Sequence, residues 1–303
     1  MKILLTGASG FTGRHFANMA REAGHEVVAL ACNLADKVEL RQEVLAAAPD
    51  SVVHLAAISF VGQADENAFY AVNVVGTMNL LDALLALPKL PQRVLLASSA
   101  NVYGNCDASP IGENQPPSPM NHYATSKLAM EHMARTVGDR LPLVFTRPFN
   151  YTGVGQANQF LIPKLVNHFA RRASSIELGN LHVEREFNDV SMISAAYLQL
   201  IEHGVAGETY NICSGNAYAL KQVIELLTRI TGHRMDVTVN PAFVRAGEVH
   251  RLCGNPSRLT ALPPPAIPLP APLSLEQTLR NMLLVKEQEL QQRTTDEQDV
   301  THR

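Results

Sequence analysis

Five short runs of apolar and β-branched residues, Ile3–Thr6, Val27–Ala31, Val52–Leu55, Val94–Ala97 and Leu143–Thr146, alternate with segments of helical period. Those segments are Phe11–Ala23, Lys37–Ala48, Ala68–Leu87 and His122–Val137. This alternation constrains the fold more than any other feature. A run that is apolar at every position, not at every second one, suits a strand buried on both faces. Such strands joined by helices imply a parallel sheet covered on both sides, and right-handed crossovers make it doubly wound. The expected fold is therefore α/β, with ligands gathered at the carboxyl ends of the strands.

Directly after the first strand comes Gly7-Ala8-Ser9-Gly10-Phe11-Thr12-Gly13, opening into a helical segment. Glycines permit the tight turn and let backbone N–H groups approach a pyrophosphate at the positive end of a helix. A strand before and a helix after are the context that makes such a triplet a dinucleotide site. An acid to hold the adenosine ribose is expected some 20 residues further on, at the end of the second strand. That strand ends Leu30-Ala31-Cys32-Asn33, without one. Asp36 follows at the start of a helix, where the reading is an N-cap. Arg14 lies just past the third glycine, and no clear basic pair awaits a 2′-phosphate, so NAD and NADP both stand.

After Arg147-Pro148 the alternation stops, loops lengthen, and Pro and Gly recur. We expect a dinucleotide-binding domain from 1–150 plus about 186–210. A smaller α/β substrate domain takes about 151–185 plus 211–285, and 286–303 form a polar tail. Pro263 to Pro272 carries six prolines in ten residues and must be an extended connector. A last amphipathic helix, roughly Ser274–Val285, has Ser274 as N-cap and Gln277 at the capping-box position. Beyond it the polar tail predicts disorder.

The remaining composition mostly excludes. A net charge of −3 with no long basic run offers nothing to nucleic acid or an anionic membrane. No apolar run is read as approaching the ~20 residues of a membrane span. The opening MKILLTG predicts a buried strand, not a signal peptide. Cys32, Cys106, Cys213 and Cys253 show no CxxC spacing, which predicts free thiols in a reducing cytoplasm and no metal site.

Tyr123-Ala124-Thr125-Ser126-Lys127 puts a phenol and an ammonium four apart on one helix face. A phenol of ordinary pKa, about 10, exchanges protons poorly at neutral pH. A fixed cation beside it would lower that value. Two serines, Ser98 and Ser99, end the fourth strand upstream.

Together the glycine turn, His54-Leu55-Ala56-Ala57, Asn73-Val74-Val75-Gly76-Thr77, Ser98-Ser99-Ala100-Asn101-Val102-Tyr103-Gly104 and the Tyr123–Lys127 segment resemble the extended short-chain dehydrogenase/reductase superfamily. The resemblance spans about Met1 to Leu284. It implies a Rossmann sheet and a catalytic set of Ser99, Tyr123 and Lys127. Ser99 would hold a carbonyl oxygen, Tyr123 would transfer the proton, and Lys127 would bind the nicotinamide ribose. NAD or NADP would lie among Gly7, Gly10, Phe11, Thr12, Gly13, Asn33, Leu34, Leu55, Ala56, Ala57, Asn73, Tyr123 and Lys127. By analogy, Ala68–Leu87 and His122–Val137 would pair across a two-fold axis in a homodimer.

The second half is similar to enzymes that act on GDP-6-deoxy-4-ketohexoses. The similar segments are Arg147–Gln156 with Phe160, Arg185-Glu186-Phe187, Tyr210–Gly215 and Arg245–Leu259. Arg185 and Arg245 would grip the diphosphate with forked donors. Glu248 would accept from ribose hydroxyls, and Asn150 would donate to a phosphate oxygen. Ser59, Phe160, Ser99 and Asn101 would face the sugar, although Ile58 replaces a glutamine before Ser59.

Asn101 separates the reactions of this group. A 4,6-dehydratase must take a proton from C5 and expel the C6 hydroxyl, and the related dehydratases use a glutamate two residues after the catalytic Ser/Thr. An amide there exchanges no protons near neutral pH. Reduction at C4 needs only a reduced nicotinamide and one proton. The resemblance implies reduction of GDP-4-dehydro-6-deoxy-D-mannose to a product of the GDP-D-rhamnose type. An NDP-sugar 4-epimerase with tightly held NAD is the runner-up. GDP-mannose 4,6-dehydration and a non-catalytic dinucleotide sensor come behind, since a sensor needs neither Tyr123 nor Lys127.

Overall fold

β1 (Lys2–Thr6) pairs in parallel with both β2 (Glu26–Ala29) and β3 (Ser51–His54). β4 (Arg93–Ala97) and β5 (Leu143–Pro148) continue the sheet beyond β3, and the strand Thr209–Ile212 closes that edge against β5. The structure is a computed structural model, and it describes residues 1–60, 65–243 and 249–301. All six strands are parallel, with the order reversing between β1 and β3, where such sheets open a crevice at their carboxyl ends.

Period-2 alternation sorts the strand residues into two cores. Ile3, Leu5, Val53 and Leu95 point to one face, against Phe16 and Ala20 of α1 (Phe11–Glu22) and Ile193 and Tyr197 of the helix Val190–His203. Leu4, Val52, Val94 and Leu96 point to the other. There they meet Leu40 and Val44 of α2 (Lys37–Ala47), Leu80 and Leu84 of the helix Asn67–Leu85, and Met130 of the helix His122–Arg135. Strands apolar on both faces need helices on both faces, and the chain supplies them.

Two expectations change. The helix Asn67–Leu85, 19 residues with mean hydropathy 1.4, does reach the length and composition of a membrane span. Half of it is buried within the protein, as suits a core helix covering a sheet. Its turn Ala71–Gly76 is a π-helix, a local widening that sequence periodicity does not report. The last helix, with the Ser274–Gln277 capping box in place, runs as Leu275–Thr301, through the tail expected to be disordered. Glu, Gln, Lys and Arg are good helix formers, and pairs such as Lys286–Glu289 at 2.8 Å support a helix once a packed segment has nucleated it.

A third cluster holds much of the second half of the chain. Leu165 and Phe169 of the helix Leu161–Ala170, Val223 and Leu227 of Leu220–Thr231, and Leu279 of the last helix form its centre. Beside it, Glu184–Glu186 is flanked by Ala217–Ala219 and Arg251–Leu252 in a three-stranded sheet. The sheet edge Thr209–Ile212 crosses the boundary expected near residue 210. The proline-rich stretch between the helices carries no regular element, as expected.

Candidate active site

The glycine turn sits on the end of β3. Gly7 has φ +69°, and a Cβ there would lie 2.7 Å from the Ala56 nitrogen. A Cβ at Gly13 would stand 2.1 Å from the Gly7 carbonyl oxygen, so the turn closes only with hydrogen at both places. Gly10 is the N-cap of α1 and brings no side-chain cap, which leaves the first-turn N–H groups and the helix dipole to a ligand's negative charge. This bare cradle at the sheet's switch point fits the pyrophosphate of a nicotinamide dinucleotide.

Phe11 and Thr12 do not simply face the crevice. Phe11 stacks on Tyr151, with ring centroids 6.2 Å apart and an interplanar angle of 13°. The Thr12 hydroxyl lies 2.8 Å from the Tyr151 hydroxyl. Tyr151 is a site residue that sequence reading missed. Its one signal was its place in the Arg147–Gln156 motif. Gly153 sits between Val190 and the same turn, since a Cβ there would come within 2.7 Å of Val190 Cγ1 and 3.5 Å of Phe11 Cζ.

At the end of β2, Asp36 accepts from the Val38 and Glu39 nitrogens, each at 3.0 Å, which makes it the N-cap of α2 as expected. Asn33 Oδ1 accepts from the Ala35 nitrogen at 2.9 Å, so its side chain shapes the turn. Leu34 is buried, and its carbonyl accepts from Asn79 Nδ2 at 2.8 Å.

A buried relay sets the backbone at Leu55, Ala56 and Ala57. Thr77 Oγ1 donates to the Asn73 carbonyl at 2.7 Å, which leaves it to accept from His54 Nε2 at 2.8 Å. His54 Nδ1 then accepts from Thr6 Oγ1 at 2.7 Å, and Thr6 Oγ1 accepts from the Ala56 nitrogen at 3.0 Å. That chain puts a proton on His54 Nε2, and a neutral ring leaves Nδ1 as the acceptor. Burial, with the Lys127 charge adding to it, lowers the His54 pKa to about 3. Asn73, on the π-helical turn, accepts from the Ile58 nitrogen at 3.0 Å and donates to the Ile58 carbonyl and Ser126 Oγ. Its amide clamps the loop after β3 to the helix His122–Arg135.

Ser99, Tyr123 and Lys127 meet at the carboxyl end of β4. Ser99 Oγ accepts from the Asn101 backbone nitrogen and from Asn101 Nδ2, both at 3.2 Å, and is hydrogen-bonded to the Tyr123 hydroxyl. Lys127 Nζ donates to the Ala97 carbonyl at 2.7 Å. The expectation that a nearby cation lowers the phenol's pKa is not met. Burial pushes Tyr123 up to about 12, with the Ser99 hydrogen bond pulling the other way. The ammonium spends itself on a carbonyl, and its own pKa falls to about 8 through burial, opposed by the Glu131 charge. At neutral pH the phenol is loaded with its proton and the lysine is charged.

The expected sugar-side residues meet in part. Phe60, next to the exposed Ser59, packs edge-on against Phe160 with centroids 5.7 Å apart, which joins the loop after β3 to the Arg147–Phe160 segment. Asn150 Oδ1 is buried without a hydrogen-bond partner. Arg185 donates from Nη1 to the Glu184 carbonyl at 2.8 Å and from Nη2 to the Val249 carbonyl, so it ties its own strand to Val249. Arg245 and Glu248 lie outside the described residues, as does Val61. Glu186 is fully buried and accepts from the Ser214 and Gly254 nitrogens, each at 2.7 Å, tying three segments together.

A doubly wound parallel sheet with a bare glycine turn at its switch point and a Ser-Tyr-Lys set beside it defines a nicotinamide-dependent oxidoreductase of the short-chain dehydrogenase type. The model of the NAD dependent epimerase/dehydratase family matches residues 3–213, and the chain belongs to that family. GDP-6-deoxy-D-talose 4-dehydrogenase of Aggregatibacter actinomycetemcomitans is 37% identical over 265 residues, 86% of this chain and 90% of that protein. GDP-6-deoxy-D-mannose reductase of Pseudomonas aeruginosa is 36% identical over 275 residues, 85% of this chain and 89% of that protein. The solved structure of RMD from Pseudomonas aeruginosa complexed with NADPH superposes with a TM-score of 0.84 at 33% identity, covering 95% of this chain and 98% of that one. The chain is accordingly an NAD(P)-dependent sugar-nucleotide oxidoreductase.

Proposed function

We propose that this protein reduces the C4 ketone of a GDP-4-dehydro-6-deoxyhexose. The observation that carries the reading is Asn101, an amide donating to Ser99 Oγ where the related dehydratases keep an acid. The two GDP-sugar relatives support the substrate class. 6-Deoxy-D-mannose and 6-deoxy-D-talose differ only at C4, so oxidation at that carbon takes both to one ketone. GDP-4-dehydro-6-deoxy-D-mannose is that ketone, and a GDP-D-rhamnose type alcohol is the product we favour.

The nicotinamide, when bound, supplies the hydride. Ser99 Oγ, positioned by Asn101, donates to the ketone oxygen and polarises it. Tyr123 gives its proton to the same oxygen as negative charge develops there. A phenol held near pKa 12 is fully protonated at pH 7, which suits the reductive direction. Lys127, charged below about pH 8, holds ribose hydroxyls. The orphaned Asn150 Oδ1 and the Phe60–Phe160 wall lie toward the sugar nucleotide. Two copies pair across the helices Asn67–Leu85 and His122–Arg135, a reading supported by the exposed Val75, Met78 and Met133. The setting is the cytoplasm, consistent with four unpaired cysteines.

The test mixes purified protein with GDP-4-dehydro-6-deoxy-D-mannose and NADH or NADPH, follows the reduced nicotinamide by absorbance, and identifies the product by NMR. Loss of one nicotinamide per sugar reduced is expected. Interconversion of C4 epimers with no net cofactor loss would make the protein an epimerase instead. Binding without turnover would leave a sensor.

A further inference from the structure

The strand that should bring an acid to the adenosine ribose ends without one, yet the fold delivers a carboxylate to that place from elsewhere. Glu43, in the second half of α2, turns back onto the end of β2, where its Oε2 accepts from the Ala31 nitrogen at 2.9 Å. Its carboxylate is also hydrogen-bonded to the Cys32 thiol. Ala31, Cys32 and Asn33 follow the strand next to β1 and its glycine turn, so they flank the path a dinucleotide takes from pyrophosphate to adenosine.

We propose that Glu43 is the cofactor-selecting residue of this enzyme, accepting from the adenosine ribose hydroxyls and favouring NAD(H) over NADP(H). A carboxylate has four acceptor positions on two oxygens, and the Ala31 nitrogen and the Cys32 thiol use only part of them. A 2′-hydroxyl can donate to what remains. A 2′-phosphate cannot donate, and it brings about two negative charges against a fixed one.

The surroundings deepen the contrast. Asp36, Glu39 and Glu43 fall at i, i+3 and i+7, one stripe of α2, whereas Lys37 and Arg41 fall on its other faces and are exposed. Arg14, just past the glycine turn, is bonded to the Ser9 and Gly155 carbonyls. Burial, then the charges of Glu43 and Glu39, push the Cys32 thiol up to about 11, which reports the same negative field at the strand end. The solved relative holds NADPH, so the inference sets this chain apart from it.

Direct binding tests this without the sugar substrate, so failure here is distinct from failure of the reductase reading. NADH and NADPH are titrated by nicotinamide fluorescence into the wild-type protein and into Glu43→Gln, whose amide oxygen still accepts from Ala31. Wild type should bind NADH at least about tenfold more tightly, the ratio that 1.4 kcal/mol sets. Glu43→Gln should bring the two within about threefold, chiefly by gaining NADPH affinity. Equal or NADPH-preferring binding by wild type overturns the proposal. So does a variant that weakens both cofactors alike, which would make Glu43 a brace for the turn. Should Glu43→Gln fail to fold, displacement of NADH from wild type decides. ADP must compete better than adenosine 2′,5′-bisphosphate, and the reverse order refutes the assignment.

Discussion

Tyr123 and His54 are buried in the same neighbourhood and are both kept neutral, for opposite chemical ends. Burial raises the phenol to about 12 and lowers the imidazole to about 3, because it disfavours the charged form of each. In the proposed reduction, the neutral Tyr123 gives its proton away. Tyr123→Phe should therefore cut kcat by roughly 10²–10⁴-fold, with the dinucleotide Kd unchanged by titration. A variant retaining near-normal kcat would remove Tyr123 from the chemistry. His54 is neutral in order to hold a relay, and its sign follows from linkage. Unfolded, it takes up a proton below about 6.5; folded, it resists until about 3. The unfolded chain thus binds the extra proton across that window, and stability falls as pH drops through it. Between pH 7 and pH 5 the loss from this residue is about 2 kcal/mol. Urea unfolding of wild type and His54→Gln at both pH values should show the mutant spared that much. Equal slopes would mean His54 is protonated in the folded state.

At the scale of elements, the catalytic helix is fastened to the sheet by a charge pair under the active site. Arg147 of β5 meets Glu131 of the helix His122–Arg135 through two bonds, Nε–Oε1 at 2.9 Å and Nη2–Oε2 at 2.7 Å. Both side chains are almost fully buried, and the guanidinium also lies 4.9 Å from the centre of the Tyr103 ring. Tyr103 donates to Asn211 of the edge strand at 2.7 Å, so one network ties the helix, β5 and the sheet edge. Removing one partner leaves a buried charge uncompensated. Arg147→Met should cost about 3–5 kcal/mol in denaturant unfolding, and adding Glu131→Leu should recover much of it. A double variant as unstable as the single one would show that packing, not the orphaned charge, is what matters. Much of this scale was legible from the chain. The strand ends, the glycine turn and the i,i+4 tyrosine and lysine are local patterns, and local patterns survive folding. The π-helical turn was not, because widening one turn to aim Asn73 leaves no mark on hydrophobic period.

For the whole molecule, the helix Asn67–Leu85 covers the sheet with one side and keeps Val75 and Met78 exposed on the other, with Met133 exposed on the neighbouring helix. If two copies meet there, a charge at Val75 must be buried without a partner. Val75→Glu should shift the protein from dimer to monomer by light scattering at micromolar concentration, with its circular dichroism unchanged. A variant that stays dimeric would move the interface elsewhere. Position across the molecule also decides which residues join the site. Tyr151 reaches Thr12 from 139 residues away. Glu43 reaches Ala31 from a different element, which is why the second strand read as lacking its acid.

By itself the sequence determined the sheet, the glycine turn and the tyrosine–lysine spacing on one helix face, since each depends on residues a turn or a strand apart. Period, glycine placement and four-residue spacing act through backbone geometry that is the same in any context. What only the tertiary structure decided is electrostatic and depends on distant partners: that burial outweighs the Ser99 hydrogen bond at the phenol while the lysine is engaged by a carbonyl, and that a helix lends the end of the second strand a carboxylate. Such effects scale with desolvation and with separations of a few ångströms, and neither is set until the chain has closed on itself.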